Sequence, residues 1–137
     1  MIREATQHDF AILVKMAQHI KIDYITPQHI QNDIFSKNLY VVVDKNNNIV
    51  AFGARVFDAH FQEYCIKRVC VPNARNRGKG YAQEIIKYLT VTRDRTFPLI
   101  CTPWLDNYAM RHMLEDIGFK LHHVFNTNWC LYTIERD

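Results

Sequence analysis

The ten residues Val71-Pro72-Asn73-Ala74-Arg75-Asn76-Arg77-Gly78-Lys79-Gly80 bring together a strand-ending proline, two glycines and three cations. Each residue type has a use there. Glycine lets consecutive backbone N–H groups turn into one hollow and lets a ligand come close to the main chain. A helix starting just beyond Gly80 adds about half a positive charge at its N-terminus. Arg75, Arg77 and Lys79 surround the same hollow with full charges, and a pyrophosphate is its natural guest. A dinucleotide fingerprint needs G-x-G-x-x-G and a Walker loop needs G-x-x-x-x-G-K-[ST]; the sequence has neither.

The charge distribution supports an anionic guest. Net charge is only +3, yet Lys67, Arg68, Arg75, Arg77 and Lys79 place five of seventeen cations within thirteen residues, with Glu63 and Glu84 outside the group. A solvated surface patch is the plain alternative. A nucleic-acid stripe is not expected, because the net charge is low and no aromatics interleave the cations. Other reactive side chains are scattered. Cys65, Cys70, Cys101 and Cys130 stand in apolar segments without C-x-x-C spacing and read as reduced core thiols. His122 and His123 are strand neighbours facing opposite ways, so no metal site is expected.

The elements that must position this loop follow from periodicity. Ile2 to Ala5 reads as a strand. Thr6 and Asp9 resemble a capping box for a helix with Phe10, Leu13, Val14, Ala17 and Ile20 on one face. Thr26-Pro27 opens a second helix to about Phe35. Leu39 to Val43 and Ile49 to Val56 form a hairpin across Lys45-Asn46-Asn47-Asn48. A strand from about Tyr64 to Val71 runs into the loop, and a helix with Ala82, Ile85, Ile86 and Leu89 aligned leaves it. Leu99 to Thr102 is a further strand, and Asn107 to Ile117 a helix stopped by Gly118. Strands at Lys120 to Phe125 and Trp129 to Ile134 flank a turn at Asn126-Thr127-Asn128. The order is β-α-α-β-β-β-α-β-α-β-β, an α/β arrangement.

With 137 residues, 48% of them apolar and 23% charged, the chain is expected to be one soluble domain, residues 1–137. No apolar run reaches the ~20 residues of a bilayer span, and Met1-Ile2-Arg3-Glu4-Ala5-Thr6 is too polar for a secretory signal. A cytoplasmic protein without a membrane partner is the expectation.

Arg75-Asn76-Arg77-Gly78-Lys79-Gly80, after a Val-Pro strand end, resembles the R/Q-x-x-G-x-G/A motif of the GNAT superfamily of acetyl-CoA-dependent N-acetyltransferases. Asn107…Leu114…Gly118-Phe119 resembles the superfamily's second motif, and Ile2-Arg3-Glu4-Ala5-Thr6…Asp9 its usual start. The resemblance spans the whole chain. It implies a mixed, mostly antiparallel sheet of six or seven strands with four helices. Arg68, Val69 and Cys70 would pair through their backbone with the pantetheine arm of acetyl-CoA. Arg75, Asn76, Arg77, Gly78, Lys79, Gly80 and Tyr81 would hold the pyrophosphate, mainly through main-chain N–H groups. For Arg77 and Lys79 the alternative role is steering an anion. Asn107 would touch the pantetheine arm, cap its helix, or both.

The activity implied is transfer of acetyl from acetyl-CoA to a primary amine of a small molecule or peptide by direct attack on the thioester. An amine with a solution pKa near ~10.4 must first lose a proton, and the leaving thiolate gains one. The oxyanion would be met by a backbone N–H of the strand before the loop, that of Cys70. The resemblance departs where many members carry a tyrosine acid, here Leu114, and where relatives carry glutamate bases, here Thr102 and Tyr64. The remaining proton-handling candidates are Tyr64, Glu63 and Tyr108, with His60 and His112 behind them. Each has a plain alternative as an exposed or half-buried surface residue. The missing tyrosine also allows a second reading, a coenzyme A-binding module with little or no turnover. Trp104, Tyr108 and Trp129 would line the acceptor cleft or simply pack. The acceptor would be chosen by Lys21 to Phe35 and by Phe125 to Trp129, and His19, Lys21, Asp23 and Tyr24 would bind an acidic or polar amine, or nothing. A monomer or a homodimer paired through the last strands is compatible with the sequence.

Overall fold

The computed structural model describes residues 1–18, 25–126 and 128–137; His19, Lys21, Asp23, Tyr24 and Thr127 lie outside them. Seven strands, β1 (Ile2–Glu4), β2 (Leu39–Val43), β3 (Ile49–Asp58), β4 (Glu63–Cys70), β5 (Leu99–Cys101), β6 (Lys120–Phe125) and β7 (Trp129–Ile134), form one sheet in the order β1-β2-β3-β4-β5-β7-β6. Every neighbouring pair is antiparallel except β4 and β5. The helices are α1 (Phe10–Gln18), α2 (Pro27–Phe35), α3 (Tyr81–Val91) and α4 (Tyr108–Ile117). The element order matches the sequence expectation, and the boundaries shift by a few residues. Thus β3 continues to Asp58 because its pairing with β4 runs to Asp58↔Glu63.

The sheet alternates its apolar side chains between two cores. Val41, Val43, Phe52, Ala54 and Cys70 face α1 and α2, meeting Leu13, Ala17, Ile30 and Ile34. Ile66, Leu99, Cys101, Cys130 and Tyr132 face α3 and α4, meeting Ile85, Ile86, Leu89 and Leu114. This period-2 partition fixes the register, since a one-residue slip would turn each strand's core face to the wrong side. The four cysteines are buried and free, as expected of core thiols.

The first turn is held by charge. Asp9 Oδ2 accepts from the Thr6 N–H at 2.8 Å, and Arg3 donates to both Asp9 oxygens at 2.8 and 3.0 Å. These bonds hold the Asp9 carboxyl below the usual carboxylate range, the Arg3 bond contributing most and burial opposing it. Stability from a depressed carboxyl is complete above its unfolded pKa and is lost as pH falls through its folded value. Acidification through and below the ordinary aspartate range should therefore loosen this turn. In a series of thermal melts against pH, Asp9→Asn should flatten the acid limb; an unchanged limb would remove Asp9 from the account.

Candidate functional site

β4 and β5 pair only through Tyr64↔Leu99 and Cys65↔Ile100, and beyond that the two parallel strands part. Both sides of the split have a visible cause. On β4, Lys67 is registered with Ala54 and Cys70 with Phe52, so β4 carries one extra residue opposite Gly53. Arg68 takes up the excess with a left-handed φ of 55°. Gly53 permits it, because a Cβ there would stand 3.3 Å from both Val69 Cγ2 and Ile85 Cγ1. The bulge is tied down by Arg68, whose Nε and Nη2 donate to Asp33 of α2 at 2.7 and 2.9 Å, with both side chains largely buried. On the β5 side, the chain past Cys101 bonds to β7 instead of β4. Cys130 N–H donates to Pro103 O at 3.0 Å, Leu105 N–H donates to Asn128 O at 2.8 Å, and Trp104 bridges Trp129.

The result is a cleft of about 490 Å³ that passes between the two helical layers. Its walls are Ile66 to Val69 on β4 and Cys101 to Trp104 after β5. Asn107 and Met110 of α4 border it on one side of the sheet, His29 of α2 and Trp129 on the other. Of the expected pantetheine contacts, Arg68, Val69 and Asn107 are brought together here. Arg68 offers only its backbone, since its guanidinium is committed to Asp33. Asn107 caps α4, its Oδ1 accepting from Met110 N–H at 3.2 Å. Cys70 is not part of the cleft wall; it pairs with Phe52 and its side chain is buried against the α1–α2 core. Val69, the neighbouring residue of the bulge, does border the cleft.

The loop after β4 is a short 3-10 turn (Ala74–Asn76) followed by Gly78 and Gly80, both left-handed with φ of 80° and 82°. A Cβ at either glycine would meet no atom within 4 Å. Asn73 starts the turn by accepting Arg75 N–H on Oδ1 at 3.0 Å and Asn76 N–H on its carbonyl at 2.9 Å. These two N–H groups are thus engaged within the loop itself. Among the described residues, no hydrogen bond is donated by the N–H groups of Gly78 to Gln83. Gly78, Lys79, Gly80 and Tyr81 keep the expected donors, at the start of α3. Arg77 folds back, its Nε donating to Val71 O at 3.3 Å. Arg75 and Lys79 border a polar hollow of about 360 Å³ on the far side of the loop, beside Asp44 and Asn48.

The expected proton-handling residues are not gathered. Glu63 and Tyr64 stand at the end of β4 where it is still paired with β5, and the cleft opens only from Ile66. Glu63 is registered with Asp58, and burial first, then that neighbour, pushes its carboxyl up. Tyr64 stacks edge-on against Phe57 at 4.9 Å between ring centres. Tyr108 is exposed, with the Arg111 guanidinium 5.8 Å from its ring centre. His60 packs on Phe61, and His112 meets Asp116 on the surface of α4. Leu114, at the position of the missing acid, is wholly buried. Cys101 borders the cleft, but burial pushes its thiol up to about 12, so it is no nucleophile at neutral pH. Among the described residues no group of three metal-ligating side chains forms, and no helix is long and apolar enough to cross a membrane.

Among the cleft residues not singled out for it from the sequence are two with nitrogen-bearing side chains, Lys67 and His29. His29 had a signal, its place three residues after the helix-opening Thr26. Thr26 Oγ1 accepts from His29 N–H at 3.1 Å, and Thr26 N–H donates to His29 Nδ1 at 3.2 Å. This is a capping box with histidine in the place of the usual Glu or Gln.

No protein-family model matches the sequence, and no curated protein does. Solved structures match over nearly the whole chain. An acetyltransferase of the GNAT family from Bacillus cereus superposes with a TM-score of 0.85 at 15% identity, over 99% of this chain and 96% of that one. The ribosomal-protein-S18-alanine N-acetyltransferase from Escherichia coli gives 0.79 at 11% identity, over 99% and 93%. A chimera of the spermidine N-acetyltransferase from Vibrio cholerae gives 0.78 at 13% identity, over 99% and 96%. Likeness at so low an identity speaks for architecture, and with the split sheet and the glycine loop in place it establishes that this chain has the GNAT acetyltransferase fold.

Proposed function

We propose that the protein is an N-acetyltransferase that takes its acetyl group from acetyl-CoA and passes it to a primary amine. The parting of β4 from β5 carries this reading. It opens one cleft bordered by α4 and by α2, so a thioester entering beside α4 and an amine entering beside α2 can meet inside the sheet. The glycine loop suits the diphosphate, because among the described residues the N–H groups from Gly78 to Tyr81 donate no hydrogen bond and the space above both glycines is open. Bound there, acetyl-CoA supplies an activated acyl group. The chain's own residues hold and orient it. Val69 offers its N–H to the developing oxyanion, an interaction worth roughly 3 kcal/mol where single donors have been removed elsewhere. Asn107 and the exposed backbone of β4 align the arm. The acyl group passes straight to the amine, with the buried Cys101 thiol a core residue.

A second reading, a coenzyme A-binding module, is favoured by the burial of Leu114 and by a cleft wall that carries no carboxylate or phenol among the described residues. Loss of a general acid costs about 10²–10⁴-fold, which slows a transferase without abolishing it. Initial rates of thiol release, with acetyl-CoA and amine both varied, separate the readings. Intersecting lines that persist in Cys101→Ala support direct transfer. Parallel lines would overturn direct attack, and tight coenzyme A binding with no thiol release on any amine would favour the module.

A further inference from the structure

We infer that the acceptor side of the cleft is built for an amine that also carries a carboxylate, with His29 as the residue that selects it. The inference rests on the acetyltransferase reading and adds the class of acceptor. The observation behind it is the reciprocal cap at the start of α2. Because Nδ1 of His29 accepts the Thr26 N–H, the neutral ring carries its proton on Nε2. Nδ1 is turned to the helix start, which leaves the Nε2–H edge for the cleft that His29 borders. With Nδ1 engaged by the Thr26 N–H, the ring meets the cleft as a donor. It would reject an incoming ammonium and favour an oxygen acceptor.

The charges beside it agree. Lys67 lies on the same face of β4, registered with Ala54 of the α1–α2 core, and reaches the cleft exposed. Among the described residues it forms no ion pair. Arg68, its neighbour, is neutralised by Asp33. The acceptor mouth therefore presents one uncompensated cation and one N–H donor, beside the exposed indoles of Trp104 and Trp129. That set suits a carboxylate with an apolar body and repels a polycation. A hydrogen bond to a charged partner is typically worth enough for roughly a tenfold to hundredfold preference.

Phenylalanine and 2-phenylethylamine differ only in the carboxylate, and spermidine stands for a polycation. Wild type should favour phenylalanine over 2-phenylethylamine at least tenfold in kcat/KM, through KM, with spermidine the poorest. His29→Glu completes an ordinary Thr-x-x-Glu capping box, so it should melt like wild type while replacing the donor by an anion; the preference should vanish or invert. His29→Gln supplies both an acceptor for Thr26 and an N–H for the cleft, and should retain the preference. The same three amines are titrated calorimetrically into the coenzyme A complex. If none is acetylated but phenylalanine binds best and His29→Glu abolishes this, transfer fails and the carboxylate site stands. Equal use of phenylalanine and 2-phenylethylamine, a preference that survives His29→Glu, a preference for spermidine, or no binding of any amine overturns the inference.

Discussion

Gly80→Asp is expected to weaken coenzyme A binding at least a hundredfold while the fold melts nearly unchanged. Gly80 sits at φ 82° just before α3, and a side chain there meets nothing within 4 Å, so no clash forbids the substitution. Aspartate is among the few L residues that visit the left-handed region, at a cost of about 1–2 kcal/mol that its preference for helix starts partly offsets. What changes is the field. The unspent N–H groups from Gly78 to Gln83 attract an anion, and a carboxylate on the same spot would both occupy and repel it. Two like charges ~4 Å apart near a protein surface interact by about 4 kcal/mol, roughly a thousandfold if undiminished. Calorimetric titration with coenzyme A at low and high salt measures this, since screening should narrow the gap. Gly80→Ala carries the strain without the charge and should lose far less. An affinity for Gly80→Asp within a few-fold of wild type would place the diphosphate elsewhere.

How much of this could be read beforehand depends on the range of the forces involved. The elements were legible because local periodicity fixes them: Ile85, Ile86 and Leu89 on α3, or the alternation in Leu39–Val43. The glycine loop was legible because Gly78 and Gly80 are needed at a left-handed backbone whatever surrounds them. The cleft followed from the resemblance alone, and its physical cause was not legible. It depends on a bulge at Arg68, on a missing Cβ at Gly53 across the sheet, and on Asp33, thirty-five residues from Arg68 in the chain. No local pattern links these three. Glu63 and Tyr64 were named from the resemblance, as the position of a relative's glutamate and its neighbour, and that correspondence does not say where β4 stops pairing with β5. His29 shows the opposite failure. Its local motif was visible, yet its reach to the cleft depends on the ion pair that holds α2 against β4.

That ion pair makes the second large prediction. Asp33→Ala should destabilise the protein by about 3–5 kcal/mol, because removing one partner of a buried pair leaves the other charge uncompensated. For a chain of this length that is a fall in Tm of roughly 10–15 °C. The geometry supports the upper part of that range, with two bonds of 2.7 and 2.9 Å between side chains only 13% and 6% exposed. Arg68→Gly separates the contributions. It removes the left-handed strain and the long side chain but orphans Asp33, so it should also destabilise, by less. Replacing both partners by apolar residues, Asp33→Leu with Arg68→Met, should recover much of the stability, as buried pairs elsewhere tolerate such exchange. It should not recover activity, for the bulge and the His29-bearing helix would then be joined by packing alone. Chemical denaturation and amine kinetics on the same variants test both halves. A cost below about 1 kcal/mol for Asp33→Ala would show the pair to be incidental, and full activity in the double variant would show that the cleft holds its shape without it.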